Sequence, residues 1–104
     1  MADARRVRVA DVDELADGQA RVVEVAGRTV ALFNVGGRLY AMDNECAHRG
    51  GPLGEGDLEG QLVVCPWHAW RWDVTTGRNA NNPAVTMTCY PVHAEADGIF
   101  VELP

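Results

Sequence analysis

Apolar and polar residues alternate along much of this chain of 104 residues, the pattern that predicts β-strands with one buried face. Ala26-Gly27 and Gly36-Gly37 are typical of hairpin turns between such strands. We therefore predict a meander of four short antiparallel strands in the first half of the chain: RRVRVA (5–10), ARVVEVA (20–26), RTVALFNV (28–35) and RLYAM (38–42).

The end of the chain repeats this pattern. MTCYPVHAEA (87–96) and IFVEL (99–103) predict a final hairpin that turns at Asp97-Gly98. Alternation places Ile99, Val101 and Leu103 on one face of the last strand. The only helical candidate is about one turn, in VDEL (12–15). The pattern as a whole predicts an all-β fold.

The segment between these blocks, residues 44–83, has a different composition. Glycines crowd residues 50–60, which is typical of a loop with unusual backbone dihedral angles, and a loop of this length in a small domain is usually functional. LVVCPWHAWRWDVTTG (62–77) then predicts two short strands and a turn at Thr76-Gly77, and NANNP (79–83) predicts a further irregular connection.

Length, charge and cysteine content restrict the classes of function that this chain can have. A chain of this size predicts one domain, 1–104, with no room for a separate catalytic domain. The net charge of −6 argues against nucleic acid and anionic membranes as partners, and no apolar run is long enough to span a bilayer. Arg5 and Arg6 are followed by alternating residues rather than the apolar segment of an export signal, so we expect a cytoplasmic protein with reduced cysteines.

Two pairs of candidate metal ligands stand out: Cys46 with His48, and Cys65 with His68, separated by sixteen residues. Each pair places a thiol and an imidazole on one tight loop, and the glycine-rich segment lets the two loops face each other. A chance pairing is the least probable interpretation, because the pattern uses two of three cysteines and two of three histidines.

Two metal sites fit these ligand types. Structural zinc binds two cysteines and two histidines, but it generally takes both cysteines from one loop and both histidines from another. A [2Fe-2S] cluster with two histidines on one iron needs a thiol and an imidazole from each loop, as here. Zinc in a binding module without redox function remains the alternative of a different class.

The chain resembles the Rieske family at these residues. CAHRGGPLGEG (46–56) and CPWHAWRWDVTTG (65–77) look like the two cluster-binding loops of Rieske proteins, and the resemblance extends over 23–44 and 90–103. It implies one Rieske-type cluster, with Cys46 and Cys65 on the inner iron and His48 and His68 on the outer iron. It also implies an antiparallel β-sandwich base with an inserted cluster-binding subdomain at about 43–73, and NANNP, with Pro83, matches a loop that covers the cluster.

Departures from the high-potential Rieske proteins indicate the class. Gly51 and Trp67 occupy the positions of a disulfide, which therefore cannot form. Trp70 and Trp72 stand where a serine and a tyrosine donate hydrogen bonds to cluster sulfurs, and we expect their large side chains not to reproduce those short contacts. Fewer such hydrogen bonds imply a potential toward the low end of the Rieske range.

A small, low-potential Rieske protein resembles the ferredoxin component of aromatic-ring dioxygenase systems. That resemblance implies a carrier of single electrons, not an enzyme, between an NAD(P)H-dependent flavoprotein reductase and a terminal oxygenase. The small Rieske subunit of assimilatory NADH nitrite reductase and a Rieske domain cut from an oxygenase large subunit are the alternatives.

Acidic residues near the predicted cluster end outnumber the one nearby arginine, Arg49, and suggest docking on a basic partner; an ordinary solvated acidic loop is an equal alternative. These residues are Asp43, Glu45, Glu55, Asp57 and Glu59. Arg49 either binds a carboxylate of a partner or stabilises its own loop, and the sequence does not decide between these two roles.

We expect Cys89 to be a buried small residue rather than a further ligand, and His93 to lie at the surface.

Overall fold

Strands dominate the computed structural model, which describes residues 5–25, 27–45, 52–67, 70–82, 84–96 and 98–103. Two 3₁₀ helices, Val12–Glu14 and Leu53–Glu55, are the helical elements of these ranges. The strands are β1 (Arg5–Ala10), β2 (Ala20–Val25), β3 (Arg28–Val35), β4 (Arg38–Asp43), β5 (Asp57–Glu59), β6 (Leu62–Val64), β7 (Arg71–Asp73), β8 (Cys89–Tyr90), β9 (Val92–Glu95) and β10 (Gly98–Leu103).

All strand pairs are antiparallel and form three sheets, in the orders β1-β10-β9, β2-β3-β4-β8 and β5-β6-β7. This confirms the predicted all-β class. The meander is confirmed for β2, β3 and β4. β1 forms at the predicted residues, but its predicted pairing within the meander is wrong. β1 instead forms a sheet with β10 and β9, and its Val7 pairs with Val101 of β10. Alternation predicts that β1 has a buried face, but it does not specify the strand that covers that face.

Strand β3 connects the two cores of the molecule. Val30 and Leu32 pack into the core shared with β10, whereas Ala31 and Phe33 pack on the opposite face against the third sheet. The near-continuous apolar sequence of this strand follows from burial on both faces. On β10, Ile99, Val101 and Leu103 are all buried, as the alternation predicts.

Glycine turns set the hairpins. Gly36 and Gly37 have φ angles of 62° and 90°, and positive φ at both central residues is what a two-residue type I′ turn requires. Gly77 has a φ of 80°, and a Cβ built on it would lie 2.3 Å from the carbonyl oxygen of Met87. The predicted turns at Gly36-Gly37 and Thr76-Gly77 are therefore confirmed; Ala26 and Asp97 lie outside the described residues.

The third sheet occupies the segment between β4 and β8, which are neighbours in the four-stranded sheet. Strand β5 of this sheet was not predicted, because Asp57–Glu59 lies within the glycine-rich segment that predicts a loop. The sheet buries Val63 and Trp72 against Phe33 and Met42 of the base. A small layer is thus inserted between two adjacent strands of the base.

Two expectations about single side chains are corrected or refined. Cys89 is exposed rather than buried, because Tyr90 faces the core and the alternation of β8 turns Cys89 outward. Its sulfur is still partly covered, and burial raises the pKa of the thiol, with Asp43 and Asp73 adding to the effect. His93 is half-buried, with its ring against the carboxylate of Glu102.

In the described part of the chain, no helix is long and apolar enough to cross a membrane.

The carboxylate of Asp73 organises the turn that follows β7. Its Oδ1 accepts hydrogen bonds from the Thr75 backbone N–H at 2.9 Å and the Thr75 hydroxyl at 2.6 Å, and its Oδ2 accepts one from Gln61 Nε2 at 2.7 Å. Burial by itself raises the pKa of Asp73, but the hydrogen bonds from Thr75 and Gln61 outweigh burial and hold the pKa below its usual value.

We predict that Asp73→Asn destabilises the protein near neutral pH by on the order of 1 kcal/mol, because the hydrogen bonds to a charged acceptor are weakened. Since the folded state lowers the pKa of Asp73, this stabilisation is complete above the unfolded pKa of about 4 and disappears as the pH falls through the folded pKa. Urea unfolding of both proteins over a pH series measures the difference. A difference that stays constant as the carboxyl is protonated would contradict the prediction.

Candidate metal centre

The structure describes one of the four predicted ligands, Cys65. Cys46, His48 and His68 lie outside the described residues, as do Arg49, Gly51 and Pro83. In the ranges that are described, no group of three histidine, cysteine, aspartate or glutamate side chains is placed to hold a metal ion. The geometry of the site is therefore established through Cys65 and through the residues that close the loops around it.

Cys65 follows β6 and is 2% exposed, in the core that includes Trp72. Its backbone N–H donates a 2.7 Å hydrogen bond to the carbonyl oxygen of Trp70, which continues the pairing of β6 with β7 across the connecting turn. The thiol thus sits on a rigid hairpin end with apolar surroundings. A buried thiol held by a hairpin is suited to be a metal ligand rather than a reactive surface group.

Asn44 closes the segment that carries the first predicted ligand pair. Its side-chain Oδ1 accepts a hydrogen bond from the Gly54 N–H at 2.8 Å, and its carbonyl oxygen accepts one from the Leu53 N–H at 2.8 Å. Glu45 and Pro52 form an isolated β-bridge beside it. The two ends of the segment 45–52 are therefore fixed to each other by bonds within the protein.

Gly54, in the 3₁₀ helix that follows this segment, packs directly on β2. A Cβ at Gly54 would lie 2.5 Å from Cγ2 of Val22 and 2.9 Å from the backbone of Arg21 and Val22. These distances are shorter than real side chains tolerate, so the close approach requires glycine. The glycine-rich composition thus has a packing reason at this position, besides the backbone freedom that the sequence suggested.

Asn79 organises the connection that matches the cluster-covering loop of the family. It is 3% exposed, and its Oδ1 accepts hydrogen bonds from the N–H groups of Asn81 and Asn82, both at 2.9 Å. Its own N–H donates to the carbonyl oxygen of Val85 at 2.9 Å. A single buried side chain thereby shapes the start of NANNP.

Sequence reasoning missed the roles of Asn44 and Asn79. Asparagine is common in turns, where its side chain bonds to nearby backbone groups, so both residues looked like ordinary loop residues. Their position at the start of a loop, in DNEC and NANNP, is the only signal in the sequence that could have identified them.

The three tryptophans differ in burial. Trp67 is 57% exposed, Trp70 is half-buried and Trp72 is 0% exposed. The rings of Trp70 and Trp72 are 6.2 Å apart and inclined at 37° to each other, within the range of favourable aromatic pairs. The aromatic residues around Cys65 thus extend from the core to the surface and are not a uniform coat.

The acidic surface is smaller than the sequence suggests. Glu59 forms an ion pair with Arg71 at 3.0 Å, and the Tyr90 hydroxyl donates to Oδ1 of Asp43 at 2.5 Å. Burial and then this hydrogen bond raise the pKa of Tyr90. The other three members of the predicted group remain exposed: Glu45, Glu55 and Asp57.

An open cavity of about 570 Å³ lies beside this surface. It is lined mainly by polar groups of the β2–β3 turn, the end of β4 and the segment before β8, including Arg28, Asp43, Glu45 and Thr88.

Comparisons with known proteins indicate the family of the chain. The sequence profile of the family described as "Rieske [2Fe-2S] domain" matches residues 5–91. The chain is 38% identical over 101 residues to the 3-phenylpropionate/cinnamic acid dioxygenase ferredoxin subunit of Escherichia coli (strain K12), covering 95% of this chain and 94% of that protein.

Solved structures give the same picture. The ferredoxin of carbazole 1,9a-dioxygenase from Nocardioides aromaticivorans IC177 superimposes with a TM-score of 0.85 at 32% identity, covering 92% of this chain and 95% of that one. A chain in the complex of reduced oxygenase and oxidized ferredoxin in carbazole 1,9a-dioxygenase gives a TM-score of 0.84 at 28% identity, covering 92% and 91%.

We predict that Asn44→Ala lowers the free energy of unfolding by about 1–3 kcal/mol, because it leaves the buried N–H of Gly54 without an acceptor. Amide hydrogen exchange at residues 52–56 should accelerate more than in the rest of the molecule. The matched control is Asn82→Ala, which removes only an exposed 3.3 Å hydrogen bond to the Ala84 N–H. Equal effects of the two substitutions on residues 52–56 would show that Asn44 does not close the segment.

Proposed function

The chain belongs to the Rieske [2Fe-2S] domain family, and we propose that Cys46, His48, Cys65 and His68 hold its cluster, with the two cysteines on the inner iron and the two histidines on the outer iron. The cofactor is one Rieske-type [2Fe-2S] cluster, and the protein is an electron-transfer component rather than a catalytic enzyme. The family match argues against the alternative interpretation, a zinc-stabilised binding module without redox function.

The observation that carries the ligand proposal is the buried thiol of Cys65 at the closed end of the β6–β7 hairpin. Its position fits a thiolate ligand on the protein side of the site. Asn44 and Gly54 support it, because Asn44 binds Gly54 across the segment that contains Cys46 and His48 in sequence, and Gly54 packs on β2. We further propose that residues 43–73 form the cluster-binding subdomain of a single domain, 1–104, in the cytoplasm.

A Rieske cluster supplies one-electron transfer at a higher potential than an all-thiolate centre, because two neutral imidazoles replace two thiolates. The chain's own contribution is to hold the four ligands and to present a surface to partners. The proposed partners are an NAD(P)H-dependent flavoprotein reductase as electron donor and a terminal oxygenase as acceptor. In support, a similar protein is a dioxygenase ferredoxin subunit, and a similar structure holds a ferredoxin together with its oxygenase.

The cluster itself is tested in the purified protein by optical and EPR spectra before and after dithionite, with iron and acid-labile sulfide assays. We expect His68→Cys to retain a cluster and to lower its midpoint potential toward the all-thiolate range near about −400 mV, because a thiolate adds negative charge. A redox titration followed by EPR measures the shift.

The control is His93→Cys, the same substitution at a histidine that pairs with Glu102 on β9 and β10. It should leave the midpoint potential unchanged. If His68→Cys also left the potential unchanged, His68 would not be a ligand.

Exposed carboxylates at Glu45, Glu55 and Asp57 are proposed to guide docking on a basic partner surface. Electron transfer from the reductase should slow as salt rises through the physiological range, since salt screens attraction between exposed charges. Neutralising all three with Gln, Gln and Asn should reduce the low-salt association rate by about tenfold and flatten its salt dependence.

The control for stopped-flow measurements is Glu95→Gln. This substitution removes one exposed charge from the β1-β10-β9 sheet, where Glu95 pairs with Arg6. It should keep the wild-type salt dependence. A wild-type rate without any salt dependence would remove these carboxylates from the docking surface.

A further inference from the structure

Trp72 carries a buried hydrogen-bond donor without a partner. Its side chain is 0% exposed, and its indole Nε1 has no hydrogen-bond acceptor within the part of the chain that the structure describes. The buried asparagines, by contrast, all have partners for their side chains: Asn34, Asn44 and Asn79. An unpaired donor in a core is costly and uncommon, so this one calls for a physical explanation.

The register of the hairpin places this donor beside Cys65. Trp72 is the cross-strand partner of Val63, and partners in an antiparallel pair point to the same face of the sheet. Cys65 lies two residues beyond Val63 and is buried like it, so it shares that face. Diagonal neighbours of this kind are roughly 7–8 Å apart, which is within reach of an indole ring.

Trp72 Nε1 has no hydrogen bond to the described groups around it. Besides Cys65, the fully buried members of its core carry hydrocarbon or thioether side chains, and neither the sulfurs of Met42 and Met87 nor the hydroxyl of the partly buried Tyr40 is hydrogen-bonded to Nε1. Solvent does not reach the group, because the whole side chain is buried. The sulfur of Cys65, or a group bound to it, is therefore the acceptor that this placement favours.

We propose that the indole N–H of Trp72 donates a hydrogen bond to a sulfur atom of the [2Fe-2S] unit, sulfide or ligand thiolate, and thereby raises its reduction potential. A hydrogen bond to sulfur offsets negative charge, which grows on reduction, so it favours the reduced state. This reverses the expectation that an indole at this position makes no such contact. The proposal rests on the proposed function, because it needs the cluster beside Cys65.

The direct test is Trp72→Phe in the cluster-loaded protein. The substitution keeps a large aromatic side chain and removes the N–H. We expect the equilibrium constant for reduction to fall about tenfold, equivalent to a midpoint potential lower by about 59 mV for one electron. Trp67→Phe is the matched control, because it makes the same chemical change on an exposed ring, and its potential should equal that of the wild type.

A second readout identifies the hydrogen bond itself. Pulsed EPR of the reduced protein, labelled with ¹⁵N in its indole rings and exchanged into D₂O, should detect a coupled exchangeable deuteron that is lost in Trp72→Phe and retained in Trp67→Phe. An unchanged potential in Trp72→Phe, together with greater thermal stability after removal of the unpaired donor, would overturn the proposal.

If Trp72→Phe does not fold or load, biosynthetic replacement of tryptophan by benzothienylalanine in the Trp67→Phe/Trp70→Phe protein, whose one tryptophan is Trp72, removes that N–H with nearly the same ring shape. The same fall in potential supports the proposal, and an unchanged potential contradicts it. A wild-type protein that contained no cluster would instead refute the proposed function. A clustered wild type with an unshifted Trp72→Phe refutes only the role of Trp72.

Discussion

The main-chain hydrogen bond from the Cys65 N–H to the Trp70 carbonyl oxygen is the constraint on which the proposed metal centre depends. This 2.7 Å bond extends the β6–β7 pairing beyond the last strand residues and fixes the face on which the thiol and Trp72 lie. Asn44 performs the equivalent closure for the other ligand-bearing segment through Leu53 and Gly54. Since both closures are made within the protein, the described ends of the two proposed ligand segments are fixed without a metal, which lowers the conformational entropy that metal binding would cost at these ends.

The local features of the fold were predictable from the sequence, but its long-range pairing was not. Turns such as Gly36-Gly37 require residues that tolerate positive φ, and two adjacent glycines in the sequence are enough to predict such a turn. The pairing of β1 with β10 joins opposite ends of the chain, and alternation contains no information about the partner. Strand β5 was hidden for a related reason, because three residues in a glycine-rich segment become a strand only when β6 pairs with them.

The candidate site shows the same division. CAHRGG and CPWHAW predict the types and spacing of the proposed ligands, since few sites use a thiol and an imidazole from each of two loops. The supporting residues were not evident, because a buried Asn79 with three backbone partners has the same sequence appearance as a solvated loop asparagine. The exposure of Cys89 depends on which residue of a two-residue strand faces the core, and MTCYPV permits both choices.

The tryptophans differ in burial, and this difference changes the reduction potential that their size alone would suggest. The expectation of a low potential treated Trp70 and Trp72 alike, as large side chains in place of hydroxyl donors. Trp67, however, is at the surface, whereas Trp72 lies wholly in the core with an N–H that the described protein atoms leave unpaired. Reduction potential responds to donors near the sulfurs and to the exclusion of water, not to side-chain volume. The proposed hydrogen bond from this one buried indole would place the potential of the centre above that of a Rieske cluster without side-chain donors and below that of one with two hydroxyl donors.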